Sequence, residues 1–218
     1  MKERGMIFNG EMVRAILDGR KTQTRRIMAP QPADDIERSA FPNPDAIGWK
    51  SSLKHKYGST TAHFCPFGAI GDRIWVRETF RVHSRATDVA TLVYKASERN
   101  SWTEQTNRVP VAVCNKPATP EKWTPSLHMP RWASRILLEI TDVRVERLNS
   151  ISQEDAQAEG MELTGWRPTY SDPDSGGEAW TPYDNFAQLW ESIYGEESWK
   201  ANPWVWVIEF KRVEGGAA

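Results

Sequence analysis

The run Ile16-Leu17-Asp18-Gly19-Arg20-Lys21-Thr22-Gln23-Thr24-Arg25-Arg26 decides how the N-terminal part of this chain folds. Asn9 is a favoured N-cap residue, and the four apolar residues that follow it repeat at helical spacing: Met12, Val13, Ile16 and Leu17. Glycine enters the left-handed conformation of a helix C-cap without penalty, so Gly19 is predicted to end the helix. The run is therefore predicted to be a turn from a helix into a Thr-rich strand.

The same run is strongly basic, with four cations between residues 20 and 26. Because like charges repel, holding them together gains little unless an anion or a polar ligand lies among them. The run therefore argues for a site that binds an anion or a polar ligand. The alternative is a solvated strand edge whose cations discourage aggregation.

The length of 218 residues allows a full hydrophobic core, and we predict a single domain over residues 1–218. The chain has two cysteines, no leader-like segment and no apolar stretch of transmembrane length, which predicts a reduced cytoplasmic protein with no membrane partner. The spacings of His63, Cys65, Cys114 and His128 match no structural zinc pattern, so we expect no metal and no cofactor.

Charge is unevenly distributed although the net charge is only −1. Residues 1–30 carry seven Lys or Arg against three acids, whereas residues 154–198 carry eleven acids against Arg167 alone. A near-zero total argues against tight, sequence-indifferent binding of nucleic acid but leaves room for a local basic patch. The eleven tryptophans are predicted to be mostly core residues rather than base-stacking platforms.

Alternating and apolar runs predict strands near residues 5–8, 73–80, 89–94, 134–145 and 204–210. Long irregular insertions are expected at about 29–70, 96–130 and 164–182, since Pro, Gly and polar residues interrupt any period there. Two further helices are predicted, one that Ser152 caps and that ends near Glu159, and one whose apolar stripe ends at Gly195. The prediction is a mainly β fold with short helices (α+β), arranged as a small barrel with long loops.

In this order the elements resemble the ASCH domain of the PUA-like superfamily. Its signature is a Gly, a Lys two residues later and an Arg five after that, found here as Gly19, Lys21 and Arg26. A Gly-Asp strand follows at Gly71-Asp72, leading into Trp75-Val-Arg-Glu78. The resemblance covers about half of the chain and implies a PUA-like pseudo-β-barrel. The stretches Ser126 to Arg135 and Asn202 to Ile208 are similar to the longer ASCH proteins of bacteriophages and prophages.

A group of small bacterial ASCH proteins hydrolyses N4-acetylcytidine with a Lys, a Thr and a Glu. Its Gly-Arg-Lys-Thr-x-Thr run matches Gly19 to Thr24, and its Ala-x-x-Glu-x-Met-x-Leu stretch matches Ala156 to Leu163. The resemblance therefore implies an amidohydrolase that acts on a modified nucleoside or nucleotide, with Lys21, Thr24 and Glu159 as catalytic residues.

Amide hydrolysis needs a nucleophile, a proton acceptor and a proton donor, and these three side chains can supply them. We expect the neighbouring arginines to push the Lys21 amine toward its neutral form, so that it activates Thr24 or a water molecule. Lys21 and Thr24 are three residues apart, so in an ideal strand they would point to opposite faces. The hypothesis requires alternation to begin at Thr22, with Lys21 still in the turn.

Further polar and aromatic residues complete a predicted substrate-binding set: Arg20, Arg25, Arg26, Trp75, Arg77, Glu78, Ser126, His128 and Arg131. The alternative function is an RNA- or nucleotide-binding module, with or without ribonuclease activity, in which the basic run holds phosphates. A third interpretation is a phage accessory protein that binds another protein through the acidic region 154–198.

Overall fold

The computed structural model describes residues 1–38, 48–52, 60–161 and 181–213 and shows a mainly β protein with a few short helices. This confirms the α+β class. The described strands form open sheets and no closed barrel: β1 (Glu3–Ile7), β2 (Gln23–Ile27), β3 (Glu37–Arg38), β4 (Trp49–Ser52), β5 (Thr60–His63), β6 (Arg73–Arg77), β7 (Phe80–Arg85), β8 (Val89–Tyr94), β9 (Thr106–Pro110), β10 (Leu137–Arg147) and β11 (Trp204–Arg212). The helices are α1 (Gly10–Leu17), α2 (Trp102–Gln105), α3 (Gln153–Ala158), α4 (Pro182–Tyr194) and α5 (Glu196–Lys200).

The chain divides into two compact units, which we call unit 1 and unit 2. Unit 1 comprises Met1–Gly19, Ile70–Ile140 and Phe210–Ala218, and unit 2 comprises Arg20–Ala69 and Thr141–Glu209. Strands β10 and β11 each contribute residues to both. None of the helices in the described ranges is long and apolar enough to cross a membrane.

Unit 1 contains strands of two sheets, helix α1 and the short helix α2. Strand β1 pairs in parallel with β6, and the first residues of β10 pair antiparallel with β6. In the sheet order β10 lies between β6 and β11, so it is not an edge strand. Strands β7, β8 and β9 form the second sheet. Its apolar face packs with the segment around Met129 into a buried cluster: Phe80, Val82, Ala90, Leu92, Tyr94, Val109, Cys114, Met129 and Ala133.

Helix α1 and its two ends confirm the prediction made from the opening run. The Asn9 side chain accepts a hydrogen bond of 2.8 Å from the Met12 amide, which satisfies one of the free N–H groups at the helix start. Asp18 is the C-cap, and Gly19 follows with a φ of 75°. Only glycine adopts that conformation without penalty, so Gly19 redirects the chain.

Unit 2 contains the pairing of β2 with β11, from Gln23↔Glu209 to Ile27↔Val205, and a sheet of β3, β4 and β5. The expectation of little regular structure over 29–70 is therefore wrong. These strands are two to four residues long, too short to show a period, and Trp49 packs on the Trp206 ring at a centroid distance of 5.1 Å. Strand β9 of unit 1 is likewise missed within 96–130.

Helices α3 and α4 of unit 2 agree with the sequence, whereas the short helix α5 was not predicted. Ser152 caps α3, and Thr181 caps α4 in a capping box, while Gly195 ends α4 with a φ of 86°. Together with β11 and the segment 148–151, helices α3 and α4 bury one apolar cluster: Leu148, Ile151, Ala156, Phe186, Trp190, Val205 and Val207. Most of the predicted insertion at 164–182 lies outside the described residues. Of the nine tryptophans described, Trp49, Trp190 and Trp206 are buried, and the half-buried Trp132 and Trp199 pack against the two buried clusters, so five of the nine are part of a core or lie against one.

Candidate functional site

Lys21 and Glu159 lie side by side in unit 2, although 138 residues separate them in sequence. The two form an isolated antiparallel bridge, and the Thr22 amide donates to the Ala158 carbonyl at 2.8 Å. Lys21 Nζ donates to Glu159 Oε2 at 2.6 Å and to the Glu159 carbonyl oxygen at 2.9 Å. The side chains are 0% and 3% exposed, so this is a buried ion pair.

Local structure places Glu159 at this position. Ser152 starts α3 by accepting from the Asp155 amide at 3.0 Å, and Glu159 is the C-cap residue. Gly160 follows with a φ of 100°, which turns the chain away from the helix axis. Arg20, which is exposed, donates to the Gly160 carbonyl at 2.9 Å. The end of α3 is thereby fixed against the segment that enters β2.

Arg25 joins the Lys21–Glu159 pair to two further carboxylates. Its buried guanidinium donates to Glu159 Oε1 at 3.3 Å, Asp155 Oδ2 at 2.9 Å and Glu146 Oε2 at 3.2 Å. Arg144 contacts Glu146 at 2.6 Å and Asp155 at 3.0 Å, and it also pairs with Glu209. We call this network the ion cluster: Lys21, Arg25, Arg144, Glu146, Asp155, Glu159 and Glu209.

The ion cluster contains three cations and four carboxylates, so the protein itself supplies the anions that the basic run required. Two cations of the run, Lys21 and Arg25, have their charges satisfied inside unit 2. A phosphate would have to compete with carboxylates that are already at hydrogen-bond distance. This geometry disfavours the hypothesis that these two residues hold the phosphates of RNA.

Burial lowers the pKa of Lys21 below its ordinary value, because desolvation disfavours the ammonium form. Glu159 opposes this shift, and the charges of Arg26 and Arg25 lower the pKa by smaller amounts. The pKa of Lys21 is therefore lowered, as the sequence predicts, but the main cause is desolvation rather than the neighbouring arginines. Burial also acts on Asp155 and would raise its pKa, but the charges of Arg25 and Arg144 outweigh it and lower the pKa overall.

Thr24 is buried in β2 opposite Ile208 of β11, and no hydrogen bond joins it to Lys21 in the described structure. Strand β2 begins at Gln23, so Gln23 and Arg25 lie on one face and Thr24 on the other. Both Gln23 and Arg25 contact Asp155, which identifies their face as the one toward α3. Direct activation of Thr24 by Lys21 has no contact to support it.

The remaining predicted site residues belong to unit 1, apart from the half-buried Arg26 of β2. Arg77 lies over the Trp75 ring at 5.4 Å and donates to the backbone carbonyls of Ser126, at 3.2 Å, and Leu127. It thus brings Trp75 and Ser126 together. His128 is exposed.

Glu78 is buried beneath Arg135, which donates to its two carboxylate oxygens at 2.9 and 3.0 Å. Burial raises the pKa of Glu78, and Arg135 opposes that rise. Arg131, in contrast, forms a half-exposed pair with Glu3 at 3.0 Å.

Sequence reasoning missed several partners of these residues: Glu146, Arg144, Asp155 and Arg135. The sequence contains one signal of such a pairing. Arg144 and Glu146 are two residues apart on a strand, so their side chains lie on the same face. The described residues contain no group of three or more His, Cys, Asp or Glu side chains placed to hold a metal ion.

The lowered pKa of Lys21 predicts a specific pH dependence of stability. Between the folded-state pKa and the ordinary value of 10.5 the unfolded chain binds more protons, so the free energy of unfolding should rise with pH across this window. In Lys21→Met this contribution is absent. Urea unfolding of both proteins at several alkaline pH values measures it, and a stability difference that stays constant with pH would contradict the prediction.

Comparisons with known proteins give no relative for this chain: no family model, no curated protein and no solved structure matches it.

Proposed function

We propose that this chain is a PUA-like protein of the ASCH type that hydrolyses the acyl amide of a modified nucleobase, with N4-acetylcytidine as the first substrate to test. The observation that carries the proposal is the 2.6 Å contact of Lys21 Nζ with Glu159 Oε2. The resemblance selects these two residues as a catalytic pair before any contact between them is known. The order of α1, the Gly19 turn, β2, β6 and β11 also supports the fold part of the proposal.

The proposed reaction uses the pair to move one proton. As a water oxygen attacks the acetyl carbonyl carbon, Lys21 Nζ in its neutral form accepts one proton of that water and passes it to Glu159 through their hydrogen bond. The carbon–nitrogen bond then breaks, its electron pair stays on the exocyclic nitrogen, and Glu159 returns the proton there. The products are cytidine and acetic acid, which loses its remaining proton to solvent as acetate. A lysine with a lowered pKa suits this role because it accepts a proton closer to neutral pH.

Two features constrain the proposal. Lys21 and Glu159 are buried, so the structure around them must open before a nucleobase reaches them. Thr24 lies on the other face of β2 from Arg25, so we assign the nucleophile to water and give Thr24 a packing role.

Turnover of N4-acetylcytidine by the full chain tests the proposal, with chromatographic detection of cytidine and a panel of other acylated nucleosides beside it. We expect Lys21→Met and Glu159→Gln to lower the rate by about 100-fold or more, the usual range for loss of a general acid or base. Thr24→Val is compared with Thr22→Val, an exposed neighbour in the same run.

Circular dichroism of each variant separates loss of catalysis from loss of folding. If Thr24→Val alone abolishes turnover while folding is kept, Thr24 rather than water is the nucleophile. If the folded wild-type protein releases no product from any acylated nucleoside, the proposed function is wrong.

A further inference from the structure

Unit 1 contains a cleft of about 890 Å³, which is lined only by residues of that unit. Its walls come from the end of β1, the start of α1, the end of β6 and the segment 95–100. Small-molecule sites usually measure about 300–1,000 Å³. The cleft is thus large enough for a nucleotide.

A fixed carboxylate lines this cleft. Glu78 is 2% exposed, and Arg135 holds both of its oxygens. Arg135 is itself held, since it lies 4.0 Å from the Tyr94 ring centroid and donates to Ser97 Oγ at 2.9 Å. A carboxylate offers about four acceptor positions and Arg135 occupies two, so Glu78 can still accept from a ligand N–H group.

The basic side chains of the cleft differ from Glu78 in their exposure and in their partners. Lys95 and Arg99 are exposed, and neither forms an ion pair or side-chain hydrogen bond with the residues that the structure describes. Arg14 also lines the cleft, with one contact to the Ala96 carbonyl at 3.3 Å. Three cations that line one cleft suit a ligand that carries a doubly charged phosphate.

Acidic residues at the same opening limit the size of the ligand. Glu11 and Glu98 line the cleft beside the three cations, so its charge is mixed rather than uniformly positive. A long polyanion would place further phosphates near these carboxylates, whereas a single phosphate can contact the cations alone. Ile7, which is 40% exposed, also lines the cleft and provides apolar surface against which a flat base can pack.

We infer that this cleft binds a nucleoside monophosphate whose base has an exocyclic amino group, with the amino group donating to Glu78 and the phosphate near Lys95 and Arg99. Carboxylates accept from such amino groups, as Glu and Asp do from the N4 of cytosine. Uracil has no exocyclic amino group, and its N3–H donor lies between two carbonyl oxygens, which a carboxylate repels. The inference does not rest on the proposed hydrolase activity.

Isothermal titration calorimetry of the full chain with CMP, AMP, GMP and UMP tests the site. We expect at least one of the three amino-bearing nucleotides to bind tenfold or more tightly than UMP and than its own nucleoside. Lys95→Ala/Arg99→Ala should lower the affinity for that nucleotide about tenfold and leave nucleoside binding unchanged. The matched control is Arg108→Ala/Lys122→Ala, which removes two exposed cations of unit 1 outside the cleft.

Glu78→Gln is the second variant, and thermal unfolding establishes whether it is folded. In a folded Glu78→Gln protein the preference over UMP should shrink to threefold or less, and Lys95→Ala/Arg99→Ala tests the site even if Glu78→Gln unfolds. Several results would overturn the assignment: equal binding of UMP and the amino-bearing nucleotides, equal effects of the two double variants, tighter binding of an RNA oligonucleotide than of any mononucleotide, or no saturable binding at millimolar concentration.

Discussion

Replacement of Glu159 by alanine should lower the free energy of unfolding by about 3–5 kcal/mol, the range found when one partner of a buried ion pair is removed. The change leaves the Lys21 ammonium buried without its carboxylate and takes one of three carboxylates from Arg25. Urea unfolding at neutral pH measures the loss. The control is Glu154→Ala in the first turn of α3, where an exposed acid of the same helix is removed.

A double variant separates the cost of an unpaired charge from the cost of lost packing. In Lys21→Met/Glu159→Leu both charges are gone, and apolar side chains of similar size fill the space. Buried pairs replaced in this way often lose no stability, so the double variant should recover most of the stability that Glu159→Ala loses. Arg25 keeps Asp155 and Glu146 as partners. A cost below about 1 kcal/mol for Glu159→Ala would contradict the prediction that the charged pair is buried and that its loss leaves an unpaired charge.

Elements with a strong local signal could be predicted from the sequence, and elements held by distant contacts could not. Helix α1 and the turn at Gly19 follow from a cap, an apolar period and one glycine. Strands β3, β4 and β5 have no such signal, because their stability depends on contacts such as that of Trp49 with Trp206, more than 150 residues away. The only cue for β4 is a short alternation, and four residues are too few to distinguish it from a loop.

The charge pairs of the candidate site could likewise be predicted from the sequence only in part. The position of Glu159 could be predicted, since Ser152 starts a short helix and Gly160 ends it. The role of Arg25 could not, because the repulsion that its neighbours suggest is cancelled by Asp155 and Glu146, which come from α3 and β10. Charge counts along a sequence do not reveal which acids the fold brings to which bases. The basic run resembles a phosphate site in sequence, but two of its cations, Lys21 and Arg25, are paired with carboxylates of the ion cluster.

Arg135→Met in unit 1 should also lower the free energy of unfolding by about 3–5 kcal/mol at neutral pH, because it leaves the Glu78 carboxylate buried and unpaired. The cost should shrink as the pH falls. Burial already raises the pKa of Glu78, and loss of Arg135 removes the charge that opposes this rise, so the carboxyl becomes neutral at a higher pH in the variant. Between its unfolded and folded pKa values such a group stabilises the protein less as the pH rises.

Arg131→Met is the matched control, since it removes an arginine of the same unit whose partner is also a glutamate. Arg131 and Glu3 are 39% and 35% exposed, and exposed pairs contribute only about 0–1 kcal/mol. Urea unfolding of both variants at pH 5 and pH 7 makes the comparison. Equal losses for the two arginines, or a loss for Arg135→Met that does not change with pH, would contradict the argument. A large, pH-dependent loss at Arg135 alone would show what determines the free energy of unfolding that is lost with an arginine of unit 1. The burial of its ion pair, rather than the mere presence of that pair, would set the size of the loss.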